Sequence, residues 1–328
     1  MKLFKKFFLL MFAAISVLTI AACQYDTQKI VIGEGDWNSN RFYNQITKFI
    51  LEKGYDEEVE ITGVSTPILI QSLTDGTVDV NVETWSDNMP TYASDIKEGN
   101  YIELGVNFND NFQGIYIPKY LQEKYPNLKS IQDLVTFKHL FPDPEITGWD
   151  ADNDKAVVYG GPSGWNVTQF LSTKFSNETL YPDLVENFEF RPLESTATLN
   201  ATLTSAYESE EPWVGYNWEP TAIMGKYDMV LLDDDLDYDA DTGAGLVPTN
   251  DVTIVVTKGF EEAHKEAAEF LSKMQTSATV VNEALAYMEE KDLDAEGAAM
   301  WWLENNKDMW SKWVTEEAAT KISDALDV

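Results

Sequence analysis

At 328 residues the chain has room for about two domains, and 44% apolar residues supply ordinary hydrophobic cores. Its 56 acidic against 23 basic side chains give a formal charge of −33, which excludes nucleic acid as a partner because phosphate binding needs a basic face. A single cysteine excludes an intrachain disulfide.

Lys2, Lys5 and Lys6 precede the apolar run Phe7 to Ile20, and the small pair Ala21-Ala22 follows. That run is shorter than the roughly 20 residues that span a bilayer, so residues 1–22 read as an export signal. The stretch Leu18-Thr19-Ile20-Ala21-Ala22-Cys23 resembles the lipobox of bacterial lipoproteins. The resemblance implies a diacylglycerol on the Cys23 thiol, a mature N-terminus at Cys23, and residues 23–28 as a lipidated tether. The expected location is the extracytoplasmic side of the cell membrane, held by the acyl chains.

"KIVIGEG" (Lys29 to Gly35) then reads as a buried strand, and Phe42, Ile46, Phe49 and Ile50 recur at helical spacing. "VEITGV", a short helix after Pro67, and "VDVNVE" repeat the alternation, which implies βαβ units and a parallel sheet. A second series opens at "FQGIYIPKY" (Phe112 to Tyr120). It runs through "KAVVYGG", a helix from Asn166, "FEFRP", a helix carrying Leu199, Leu203 and Tyr207, "WVGYN" and "MVLLDDD". "VTIVVTK" (Val252 to Lys258) follows, and from there to Val328 the pattern is helical. A helical tail without its own sheet must pack on one already made. The expected fold is therefore α/β with two lobes, residues 29–112 plus 251–328 forming one and residues 113–250 the other, with crossings near Phe112 and Asn250. No internal repeat or low-complexity tract interrupts it.

The ten tryptophans divide by position. Trp301, Trp302, Trp310 and Trp313 lie on the closing helices and read as packing residues; Trp149 sits in a polar loop and Trp213 begins a strand. Trp37, Trp85, Trp165 and Trp218 all fall at carboxyl ends of strands, two in each lobe. In open α/β sheets loops and helix N-termini converge at that edge and ligands bind there. Four rings so placed point to a shared aromatic pocket in the cleft.

"GDWNSN", "VNVETWSDNMP", "GGPSGWNVTQF", "VGYNWEPTAIMGKYDMVLLDDD" and the closing "AAEFLSKM…AAMWWLENNKDMWSKW" resemble the motifs of substrate-binding proteins for glycine betaine and related quaternary amines, the receptors of ABC importers. The resemblance implies a type II periplasmic-binding-protein fold closing on a trimethylammonium group. It implies Trp85, Trp165 and Trp218 as the box, Trp37 as a fourth wall and Tyr116 as a weaker candidate. A quaternary ammonium has no N–H, so ring faces read it through their negative quadrupole. The implied partners are an ABC permease with its ATPase, and membrane lipid through Cys23; the expected protein is a monomer and no enzyme, with no cofactor and no metal.

The far end of the ligand needs donors. Asn38, Ser39, Ser163 and Asn166, with the backbone N–H groups of two helix starts, are the candidates, and N-capping is the competing role for the side chains. Asp36 and Glu83 are the acids nearby, expected to pair with Arg41 or a lysine. A zwitterion such as glycine betaine is then preferred over choline, with carnitine and dimethylsulfoniopropionate as further alternatives. A serine hydrolase is the rival enzyme, since "GGPSGW" opens a helix after a strand, yet Trp165 stands where G-x-S-x-G needs glycine, and the only histidines are His139 and His264. "DADND" and "DLDYDADTG" resemble calcium loops, but Pro248 occupies the place of the bidentate glutamate, so solvated acidic loops are the better account. A sugar-binding surface lipoprotein is the last rival, since tryptophan faces also stack on sugars.

Overall fold

The computed structural model describes residues 29–89 and 91–327; the export signal, Cys23 and the tether lie outside the described residues. In chain order the first run is β1 (Ile30–Glu34), α1 (Asn38–Gly54), β2 (Val59–Gly63), α2 (Thr66–Asp75), β3 (Val80–Trp85), α3 (Tyr92–Glu98) and β4 (Tyr101–Phe108). The second is β5 (Gln113–Pro118), α4 (Lys119–Lys124), β6 (Ala156–Pro162), α5 (Asn166–Lys174), α6 (Pro182–Asn187), β7 (Phe188–Leu193), α7 (Thr196–Glu208), β8 (Gly215–Trp218), α8 (Ala222–Lys226) and β9 (Met229–Leu231). Strand β10 (Val252–Thr257) leads into α9 (Phe260–Ala263), α10 (Lys265–Lys273), α11 (Ala278–Glu290), α12 (Ala295–Asn305), α13 (Lys307–Trp310) and α14 (Glu316–Leu326).

Two five-stranded sheets result, ordered β2-β1-β3-β10-β4 and β7-β6-β8-β5-β9. Both are mixed: the parallel pairing expected of the βαβ units holds within β1, β2 and β3, and the expectation is corrected for the strands added beside them. Strands β1, β2 and β3 are parallel, but β10 runs antiparallel to β3 and β4. The cause is the crossing: Val252, where β10 begins, pairs with Trp85, where β3 ends. A chain returning from the other lobe enters at the cleft and can only run away from it. Asn111 and Asn250 stitch the two crossing segments, the Asn111 amide donating to the Asn250 carbonyl (2.8 Å) and the Asn250 backbone N–H to Asn111 Oδ1 (3.0 Å). Both residues are buried, so the Asn111 amide and the Asn250 backbone satisfy each other where water cannot.

The helical tail completes the first core, as its lack of a sheet requires. α12 and α14 pack on α1, where Gly54 lets the backbones close: a Cβ there would stand 3.2 Å from the Ala318 Cβ. Trp302, Trp310 and Trp313 are buried in that core beside Ile32, Phe42 and Val256. α8 leaves the second sheet and rests on α11 of the first lobe, with the Thr221 backbone N–H donating to Asn282 Oδ1 (2.8 Å). In the second lobe, Asp234 is buried with the Lys174 ammonium, and Tyr181 also donates to it (2.9 Å). This pair anchors a loop whose Asp235, Asp237, Asp239 and Asp241 are exposed. Among the described residues no group of three or more His, Cys, Asp or Glu is placed to hold a metal ion.

Candidate functional site

Four loops and strand ends meet where the two sheets face each other. Trp37 follows β1 as the N-cap residue of α1, its ring lying on Gly35; a Cβ at Gly35 would come within 2.1 Å of Trp37 Cζ3, so only glycine admits this fold of the ring. Trp85 and Trp218 are the last residues of β3 and β8, and Trp165 is the N-cap residue of α5. Because side chains two apart on a strand share a face, Glu83 and Asn81 stand with Trp85, and Tyr216 stands with Trp218.

These residues line one cavity that is partly open to solvent; Thr66, Leu69, Ile70, Thr84, Asn88, Met89, Asn166 and Val167 complete it. Trp165 meets Trp218 edge to face at 5.0 Å and 86°, and Trp37 at 5.9 Å and 82°. Tyr216 lies nearly parallel to Trp218, 5.7 Å away. The Trp37–Trp165 contact joins the lobes, and so does the Thr196 hydroxyl, which donates to the Asp36 carbonyl (2.7 Å). The Tyr216 hydroxyl donates to Gln113 Oε1 (3.1 Å), and Gln113 exchanges amide bonds with Asn88. The cage is thereby tied to the first residue of β5, directly beyond a crossing.

Glu83 is 1% exposed. Its Oε1 accepts from the Ser39 hydroxyl (2.9 Å) and the Trp85 indole (3.2 Å), while Oε2 has no hydrogen-bond partner. The Trp37 indole N–H lies close enough to favour the carboxylate, yet it too lacks a bond of ordinary geometry. Burial pushes the Glu83 carboxyl up to about 7, opposed by the donors Trp37, Ser39 and Trp85. Asp36 pairs with Arg41 as expected (2.9 Å). For Glu83 the expectation is corrected: among the described residues no cation pairs with it, because β3 is central and nothing long and basic is placed beside its end.

Of the residues singled out in the sequence, the structure brings Trp37, Trp85, Trp165, Trp218 and Asn166 to this cavity. Ser39 stands behind it, bonded to Glu83 rather than capping α1. Asn38 accepts from Arg41 (3.2 Å). With Ser39, Arg41, Thr196 and Asn200 it lines a second cavity that shares the Trp37 and Trp218 walls. Neither α1 nor α5 is capped by a side chain. Ser163 is exposed and lines neither cavity; Tyr116 is buried within the second lobe and lines neither. His264, the hydrolase candidate's base, packs in the first lobe against Glu57 (3.2 Å), whereas Ser163 follows β6 of the second sheet. Glu83 and Tyr216 are the cage residues that sequence reasoning missed, Glu83 as a wall and Tyr216 altogether; two-residue strand periodicity from Trp85 and Trp218 would have found both.

Residues 28–305 match the family described as the substrate binding domain of ABC-type glycine betaine transport systems. A stretch of 119 residues is 28% identical to the glycine betaine/carnitine transport binding protein GbuC of Listeria monocytogenes, covering 36% of this chain and 37% of that protein. Among solved structures, the glycine betaine/L-proline-binding protein ProX from Borrelia burgdorferi superposes with a TM-score of 0.71 at 22% identity, over 90% of this chain and 100% of that one. The choline-binding protein of an ABC transporter, in complex with choline, gives 0.72 at 18% identity over 91% and 98%. At these identities the structures speak for the two-lobed fold.

Proposed function

The chain belongs to the family of substrate-binding domains of ABC-type glycine betaine transport systems, and from that premise we propose that its aromatic cage receives a quaternary ammonium solute and delivers it to an ABC permease. The observation that carries this reading is the convergence of Trp37, Trp85, Trp165, Trp218 and Tyr216 on one cavity between the lobes. Three desolvated rings at about 2 kcal/mol each contribute roughly 6, and one or two charge-assisted hydrogen bonds add about 1.5 to 3 each. Ordering removes several kcal/mol, which leaves room for a micromolar dissociation constant, about −8 kcal/mol.

In this reading residues 29–112 with 251–328 close against residues 113–250, and the uncapped starts of α1 and α5 with Asn166 offer donors to the ligand's polar end. Cys23 holds the receptor at the outer face of the membrane through its acyl chains, as a monomer; no helix among the described residues is long and apolar enough to cross a membrane. Glycine betaine is the first candidate. Choline is the second reading, favoured by one observation: a buried carboxylate oxygen of Glu83 without a partner suits a ligand that brings net positive charge or a hydroxyl. Calorimetric titration of the ligand-free protein with glycine betaine, choline, carnitine, proline betaine and dimethylsulfoniopropionate tests the reading. Micromolar binding of at least one is expected, and sugars should give no heat. Binding of a sugar in place of every onium solute would overturn it.

A further inference from the structure

We propose that Glu83 sets the charge class of the solute, its ionised form admitting a net cation and its protonated form admitting a zwitterion, so that external acidity changes which solute the cage prefers. This rests on the quaternary-ammonium reading and deepens it. The geometry that carries it is the placement of a fully enclosed acid in the wall of the cage, one oxygen held by Ser39 and Trp85 and the other without a partner.

The surroundings leave the acid to the ligand. From α1 it meets Ser39 and Tyr43, from the turn before α1 Trp37, from β3 Asn81 and Trp85, and across the cavity stand Tyr216 and Trp218. Arg41, the nearest basic residue of α1 in sequence, is engaged with Asp36, Glu34 and Asn38. The Tyr43 phenol is held well above its ordinary range by burial and by Glu83 itself, and that of Tyr216 by burial and Tyr116, so neither ionises near neutrality. Among the residues lining the cavity, Glu83 alone is left to titrate there.

A buried carboxylate without a counter-ion is costly, and a net cation entering beside it supplies that counter-ion. Cation binding therefore expels the proton and strengthens as pH rises. A zwitterion is neutral overall and carries its own carboxylate, which an ionised Glu83 repels and a protonated Glu83 can meet with an O–H donor from Oε2. Its binding strengthens as pH falls. Burial places the carboxyl at about 7 in the empty protein, so the exchange of preference is centred near neutral pH.

The test compares choline with glycine betaine by calorimetry at pH 5.5 and pH 8.5. A quaternary ammonium has no proton to lose and the betaine carboxylate stays ionised across that range, so any pH dependence belongs to the protein. Choline should tighten by up to about 30-fold on going to the higher pH, and glycine betaine should weaken. Glu83→Gln should abolish both trends and disfavour choline at pH 8.5. On the unmutated protein, titrations at pH 7 in two buffers of different ionisation heat should show proton release with choline and uptake with glycine betaine. A ratio of the two affinities that does not change with pH, the same sign of proton exchange for both, or a pH dependence that survives in Glu83→Gln would overturn the proposal while leaving the receptor reading intact. If neither solute binds at either pH, the proposal falls, and the receptor reading falls with it only if carnitine, proline betaine and dimethylsulfoniopropionate also fail to bind.

Discussion

Replacing Glu83 by Gln should stabilise the ligand-free protein relative to the unmutated one by an amount that grows as pH rises from 5 to 8. Burial lifts this carboxyl from its ordinary 4.5 to about 7. A group whose folded-state pKa is raised contributes stability that is fully present below its unfolded value, near 4.5, and is lost as pH climbs through the folded value, near 7. At about 1.4 kcal/mol per pH unit, the loss between pH 5 and pH 8 is roughly 2 to 3 kcal/mol. Gln retains an oxygen to accept from Ser39 and Trp85 and does not titrate, so any cost of enclosing its amide shifts the comparison by the same amount at every pH. Urea unfolding followed by tryptophan fluorescence at four pH values supplies the difference, in which the titrations common to both proteins cancel. A difference that stays flat within about 0.5 kcal/mol would refute the reasoning, since it would mean that Glu83 is solvated or paired in the folded protein.

The cage itself is tested by Trp85→Ala, Trp165→Ala and Trp218→Ala, each expected to weaken solute binding at least tenfold in calorimetry, since one desolvated ring is worth about 1.4 kcal/mol or more. Trp310→Ala should instead cost about 3 to 5 kcal/mol of stability in urea and leave affinity unchanged. Gly35→Ala places a Cβ against the buried Trp37 ring, so binding should weaken and urea unfolding should report a loss of about 1 to 3 kcal/mol. Lys174→Met leaves Asp234 enclosed without its cation, and urea unfolding should report a loss of about 3 to 5 kcal/mol.

Local pattern made most of the strands and helices legible, because β1, β6 and β10 carry the short apolar runs Ile30 to Ile32, Ala156 to Val158 and Ile254 to Val256, and the faces of α1 and α10 recur at helical spacing. Strand β4 was not legible. "YIELGVNF" lies at the edge of its sheet, half its side chains partly exposed, and so lacks a clean apolar signature. The direction of β10 was hidden for a different reason, since it depends on where a chain that has built a whole second sheet re-enters the first. The four tryptophans of the cage stood out through their places at strand ends. Tyr116 could not be sorted from them, because every side chain of β5 is buried and such a strand has no outward face to read. The solitary state of Glu83 was beyond the sequence: an acid beside an aromatic in a strand reads the same whether an arginine reaches it or not.

The claim that the rings recognise positive charge, rather than merely apolar bulk, is tested most directly by comparing choline with its neutral carbon isostere, in which a tert-butyl group replaces the trimethylammonium. The two have nearly the same shape and apolar surface, so a greasy pocket would hold them equally. With several rings each contributing about 0.5 to 2 kcal/mol to a cation, the account predicts that the neutral compound binds at least 100-fold more weakly than choline by calorimetry in Glu83→Gln, where no carboxylate lines the cage; equal affinities would contradict it.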